Sequence, residues 1–86
     1  MAEEEIQKIK QQLEKLKNTY IEVKKKISEL RKNGNDMRIV EYKIATVPAK
    51  IEYASVTLEQ KDVDKVTRLL QDGIEEIKKI TSDNTK

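Results

Sequence analysis

The first third of the chain carries an unbroken apolar rhythm. Apolar residues recur there at alternating spacings of three and four positions, a mean period of about 3.5 that is typical of a coiled-coil helix. An acidic first turn and a basic last turn favour the same helix, and Asn33-Gly34 provide a stop signal. The pattern predicts a long first helix over about residues 3–32. Its seam consists of Ile6, Ile9, Leu13, Leu16, Tyr20, Val23, Ile27 and Leu30.

Residues 37–58 have an apolar pattern that supports two interpretations. Interpreted as a helix, they show two neighbouring apolar stripes, which is typical of a central helix packed between two partners. Pro48 removes one helical hydrogen bond, so it predicts a kink or a new segment near residues 44–47. We predict this helix, over about residues 36–55, because its seam positions stay in register. The first stripe is Met37, Val40, Ile44, Val47, Ile51, Ala54 and Leu58, and the second is Tyr42, Ala45, Ala49, Tyr53 and Val56.

The alternative for this region is a β-hairpin over residues 38–57. Residues 38–44 and 50–57 are rich in β-branched side chains, and residues 45–49 could form the turn between them. Two long helices on either side of a small hairpin resemble the layout of prefoldin-type chaperones. That resemblance is architectural only, and it would imply a holdase that binds unfolded chains.

The last helix is predicted over about residues 58–80. Thr57 with Gln60 forms a candidate capping box, and Asp62 is an alternative cap. Glycine destabilises a helix interior by about 1 kcal/mol relative to alanine. We therefore expect Gly73 to be present because it permits a close helix crossing. The polar residues 81–86 are predicted to fray.

Short connections make successive helices antiparallel neighbours. The chain is therefore predicted to be all-α and to form a single helical domain over residues 1–86. Its architecture would be an up-down-up antiparallel three-helix coiled-coil-like bundle, with a long first helix and a Pro48-kinked second helix.

The unequal helix lengths predict an interface between copies of the chain. The first ten or so residues of helix 1 would project past the bundle, and their apolar side chains would need a partner unless the segment frays. We therefore expect a homo-oligomer, either a dimer or a tetramer. The predicted interface residues are Ile6, Ile9, Leu13 and Leu16.

Charge along the helices predicts which of them pack together. The positions flanking the first seam on one side are basic, namely Lys10, Lys17, Lys24 and Arg31. The last helix is acidic and supplies Asp62, Asp64, Asp72, Glu75 and Glu76. Because opposite charges at flanking positions set partner choice, we expect helices 1 and 3 to lie against each other.

Composition excludes most chemistry. The chain has no His and no Cys, so the usual zinc sites and nearly all nucleophile–base pairs are ruled out. We expect no catalytic residues, no metal or cofactor, no small-molecule substrate and no membrane partner. The acidic start, Met-Ala-Glu-Glu-Glu, does not have the pattern of a signal peptide, so a cytoplasmic protein is expected. Abundant Lys, Glu and Ile also suit a thermophile.

A basic cluster in the middle of the chain is the remaining candidate for chemistry. Residues 16–50 carry a net charge of +5, whereas the whole chain carries +2. The candidate phosphate-binding patch is Lys24, Lys25, Lys26, Arg31, Lys32 and Arg38. It makes a nucleic-acid-associated protein one alternative function. The main prediction is a non-enzymatic assembly or adaptor protein that self-associates through its heptad seam and binds a partner protein.

Overall fold

The structure, a computed structural model, describes residues 2–83, and that range contains helices and turns but no strand. The prediction of an all-helical chain is confirmed, and the β-hairpin over residues 38–57 is wrong. Residues 81–83 continue the last helix, whereas residues 84–86 of the predicted frayed tail lie outside the described part. The helices are α1 (Glu3–Lys32), α2 (Arg38–Ile44), α3 (Val47–Thr57) and α4 (Gln60–Asp83).

Gly34 ends α1 in the way that its sequence signal predicts. Its φ of +93° lies in the left-handed region, which glycine adopts without a steric penalty. The Gly34 N–H donates to the Arg31 carbonyl at 3.0 Å, and the Asn35 N–H donates to the Leu30 carbonyl at the same distance. These bonds satisfy carbonyls at the helix end and turn the chain toward α2.

The region of the predicted second helix contains two segments, α2 and α3, separated at residues 45–46. The Ala45 N–H makes only a long bond of 3.4 Å to the Tyr42 carbonyl, and regular bonding resumes where the Lys50 N–H donates to the Thr46 carbonyl at 3.0 Å. Pro48 lies in the first turn of α3, where a missing N–H removes no helical hydrogen bond. Proline is therefore accommodated by starting a new segment.

Contacts near the helix ends define the path of the chain. Gln12 of α1 and Gln60 of α4 exchange two side-chain amide hydrogen bonds of 3.1 and 2.9 Å. At the other end of α1, Arg31 forms an ion pair with Glu41 of α2. The end of α1 therefore lies beside α2, and the start of α4 lies beside the first half of α1. The helices together form a rod of 51 × 20 × 17 Å.

The helix α4 is the central packing element, because it contacts α1, α2 and α3. Where α4 packs on α2, a Cβ placed on Gly73 would lie only 2.6 Å from Cγ2 of Ile44. This confirms that Gly73 permits a close crossing. The buried apolar core consists of Ile9, Leu13, Val23, Ile27, Leu30, Met37, Val40, Ile44, Val47, Ile51, Ala54, Val63, Val66, Leu70 and Ile77.

The turn between α3 and α4 differs from the predicted capping box. Thr57 remains in α3, and Leu58 has a left-handed φ of 52°, so α4 begins two residues later than the capping box requires. Instead of capping α4, the Thr57 hydroxyl donates to the buried Asp62 carboxylate at 2.7 Å. The capping-box prediction is wrong because the chain reverses direction at Leu58.

Candidate interaction surface

The predicted interface at the start of α1 is largely inside the single chain. Ile9 and Leu13 are only 5% and 4% exposed, while Ile6 and Leu16 are half-buried. Leu58 and Gln60 border the same small groove as Ile9, so the end of α3 reaches this part of α1. The expectation that about ten residues project past the bundle is therefore wrong. Ile9 and Leu13 belong to the core and are not available to a second copy.

The helices expected to pair by charge do pack together, but their charges do not meet. The first and last helices, α1 and α4, are in contact. Within the described residues, however, no ion pair joins them. Arg31 of α1 pairs with Glu41 of α2, and Glu76 of α4 pairs with Lys43 of α2 at 3.0 Å. Apolar burial and the Gln12–Gln60 hydrogen bonds therefore hold α1 against α4, and the ion pair that each of the two helices makes to another helix goes to α2.

A second apolar stripe on α2 and α3 faces solvent. Its residues recur at spacings of three and four, and every one of them is exposed. The four large side chains have exposed fractions of 61% (Ile39), 84% (Tyr42), 62% (Tyr53) and 81% (Val56). At about 100° per residue, this row lies roughly 140° around the helix from the buried seam. We call it the outer stripe and define it as Ile39, Tyr42, Thr46, Ala49, Tyr53 and Val56.

The clustering of these side chains distinguishes the outer stripe from ordinary surface. Single exposed apolar residues are normal, whereas contiguous apolar patches mark interaction sites. Of the five large apolar side chains exposed in residues 2–83, four lie on the outer stripe, and only Ile21 lies elsewhere. The sequence pattern showed most of this stripe but predicted that it packs inside the bundle. Both α1 and α4 instead pack on the buried seam, so no residue in the range 2–83 covers the stripe.

A pair of opposite charges lies near each end of the outer stripe. At the α2 end, the Arg38 guanidinium contacts the Asp36 carboxylate at 2.8 Å, and the Arg38 backbone N–H donates to the same group at 3.1 Å. These hydrogen bonds lower the pKa of Asp36 to about 2 and raise that of Arg38. Just beyond the α3 end, Lys61 in the first turn of α4 lies 3.4 Å from Glu59 in the α3–α4 turn. Each end therefore carries one exposed pair of charges.

The stripe also borders a shallow groove near the α2–α3 break. Side chains from both sides line it: Tyr42, Lys43, Ala45 and Thr46 from the α2–α3 side, and Leu69 and Asp72 from α4. The groove is open and mostly apolar, with one carboxylate on its wall. Such a groove can receive a protruding side chain from a packed partner helix.

The structure does not gather the six residues of the candidate phosphate-binding patch on one face. Lys24, Lys25 and Lys26 are consecutive in α1, so they project about 100° apart around the helix. Arg31 and Arg38 already pair with carboxylates, and Lys32 is exposed at the end of α1. Lys24, Lys25 and Lys26 therefore do not share one face of α1.

The described residues offer no metal site and no membrane span. Among residues 2–83, no group of three or more His, Cys, Asp or Glu side chains could hold a metal ion. In the same range, no helix is both long enough and apolar enough to cross a bilayer.

Comparison of the chain with protein-family models, curated proteins and solved structures found no match.

Proposed function

We propose that the chain is a non-enzymatic helical assembly module that self-associates through its outer stripe. It would act as an up-down-up antiparallel three-helix coiled-coil-like bundle whose middle helix is broken before Pro48. The observation that supports this function is the row of four large, exposed apolar side chains on α2 and α3. The α1 seam, from which the sequence predicted assembly, is mostly used inside the core. The outer stripe is the apolar surface that remains.

The area of the stripe can be compared with that of known interfaces. Its two tyrosines, two aliphatic side chains and two small residues present on the order of 600 Å² per copy, given the usual sizes of such side chains. A standard specific interface buries about 800 Å² per partner. The stripe is therefore close to the lower size for a specific contact, and we expect a weak dimer that forms in a concentration-dependent way.

Solution mass measured over a range of protein concentrations tests this function. We expect a concentration-dependent dimer for the wild-type chain and a monomer for Tyr42→Asp and Tyr53→Asp, because each puts an unpaired charge in the contact. Ile21→Asp is the control, since Ile21 is also a large exposed apolar residue but lies on α1. It should leave the dimer intact. All variants should retain wild-type helicity by circular dichroism.

Two outcomes would contradict the proposed function. One is a wild-type chain that stays monomeric at every concentration. The other is dissociation by Ile21→Asp to the same extent as by the stripe variants, because a general increase in negative charge would then explain both effects.

Nucleic-acid binding is a second candidate function, supported by one observation. Lys24, Lys25, Lys26 and Lys32 are exposed, and within the described residues none of them has an ion-pair partner. A phosphate backbone would bind such cations with strong salt dependence. Binding to random duplex DNA at low and physiological salt tests this candidate. If the first three lysines changed together to glutamate leave the affinity unchanged, the patch does not bind DNA.

A further inference from the structure

We infer that the second copy lies antiparallel on the outer stripe, related to the first by a two-fold axis near residues 46–49. This inference rests on the proposed self-association and adds its orientation and register. A two-fold interface must be self-complementary, so that residue i meets residue j and residue j meets residue i. The outer stripe has this property, because its residues form the same series of sizes from either end.

The register follows from the spacings of the stripe. When two copies are aligned antiparallel about residues 46–49, Ile39 lies opposite Val56 and Tyr42 lies opposite Tyr53 of the second copy. Thr46 then lies opposite Ala49, so the two smallest residues meet at the centre, beside the α2–α3 break. Aliphatic side chains pair at the ends, aromatic rings pair in the middle and small residues allow close approach at the axis. Every position of the stripe finds a partner of matching size.

Charges at the two ends distinguish the antiparallel orientation from the parallel one. In the antiparallel register, Arg38 of each copy lies opposite Thr57 at the end of α3 of the other copy, two residues before Glu59 in the α3–α4 turn. Arg38 and Glu59 are both exposed, and each carries its own counter-ion, Asp36 or Lys61. The interface would therefore end in two clusters of alternating charge. In a parallel pairing, flanking positions five residues apart meet, and Arg38 would lie against Lys43 of the second copy. That orientation opposes like charges and gains no pair in return.

One like-charge approach also occurs in the antiparallel register. Lys43 comes near Lys50 of the second copy on the other flank of the stripe. However, Lys43 is already held by Glu76 of its own copy at 3.0 Å. Because the Glu76 carboxylate neutralises this ammonium and draws it toward α4, the approach costs little. The groove beside Tyr42 lies on the same flank and gives room for the Tyr53 ring of the second copy.

A charge-exchange experiment tests the orientation. In Arg38→Glu, two glutamates face each other at both ends of an antiparallel homodimer, and in Glu59→Arg, two arginines do. Each variant alone should therefore dimerise roughly fivefold more weakly than the wild-type chain. When the two variants are mixed, both end contacts of the heterodimer pair a glutamate with an arginine. The heterodimer should then form with at least wild-type affinity.

Matched controls separate orientation from net charge. Lys15→Glu and Glu22→Arg make the same charge changes at exposed positions of α1, away from the stripe. These two variants should dimerise like the wild-type chain and show only the small preference for mixing that net charge gives. Circular dichroism should show unchanged helicity, because all four positions are exposed.

The possible results have distinct meanings. A wild-type chain that is monomeric throughout overturns the proposed function and this inference together. A wild-type dimer in which Arg38→Glu binds itself more tightly indicates the parallel orientation, because glutamate would then meet Lys43. A wild-type dimer that is indifferent to both end variants overturns the antiparallel register alone, and self-association stands.

Discussion

Replacing Gly73 with alanine should destabilise the fold although alanine is the better helix former. At an unhindered helix position, the change from glycine to alanine stabilises by about 1 kcal/mol. Here the new Cβ would lie 2.6 Å from Cγ2 of Ile44, far inside van der Waals contact. That methyl group branches directly from Cβ of a buried side chain, so it cannot swing aside. Overpacking of this kind typically costs about 1–3 kcal/mol.

The balance of these two effects gives the expected magnitude. We expect Gly73→Ala to be less stable than the wild-type chain by about 1 kcal/mol, or roughly 4–8 °C in Tm for a chain of this size. Urea unfolding followed by far-ultraviolet circular dichroism measures the difference. Gln71 is the matched control because it lies two residues away in α4 and is exposed. At that position, Gln71→Ala should be more stable than Gln71→Gly by about 1 kcal/mol.

A second substitution locates the clash at Ile44. Leucine has nearly the volume of isoleucine but carries no methyl group on Cβ, so Ile44→Leu opens the space opposite Gly73 at a cost below about 1.5 kcal/mol. In that background, Gly73→Ala should become neutral or stabilising, and the two changes should couple by about 1–2 kcal/mol. If Gly73→Ala stabilises the wild-type chain as much as the control site predicts, the close α2–α4 crossing is wrong.

Three further predictions concern the core, the α3–α4 turn and the first loop. Leu13→Ala should destabilise the chain by about 2–5 kcal/mol in urea unfolding, and an effect only on solution mass would show that Leu13 is an interface residue after all. Thr57→Val removes the hydrogen bond to buried Asp62 and should cost about 1–3 kcal/mol, whereas an unchanged urea midpoint would show that water replaces the hydroxyl. The pKa of Asp36 is about 2 in the folded chain and 3.8 ordinarily, so its stabilisation is complete above pH 3.8 and is lost as the pH falls through 2. The Tm advantage of the wild-type chain over Asp36→Ala should decline over that range, and a constant advantage would contradict the Arg38 pairing.

The sequence was enough to predict the helical class, the end of α1 at Gly34 and the close crossing at Gly73, because each depends on local periodicity or on one backbone property. The path of the α3–α4 turn could not be predicted from the sequence. It depends on Leu58 adopting a left-handed conformation, which is rare for a residue with a branched side chain and has no sequence signal. That turn carries Gln60 to the start of α1 and buries Ile9. The predicted overhang failed at this point, and with it the argument for the α1 interface.

The residues of the outer stripe contribute little to folding, so the proposed dimer contact can be changed without changing the stability of the single chain. Tyr42 and Val56 are more than four-fifths exposed, so they bury little apolar area in the single chain and add little to its stability. In a chain with 40% charged residues, polar side chains at these positions would fold equally well. Folding therefore gives no reason for four large apolar side chains in one exposed row, whereas burial against a second copy does. Substitutions there should change the solution mass and leave the urea midpoint of the monomer unchanged.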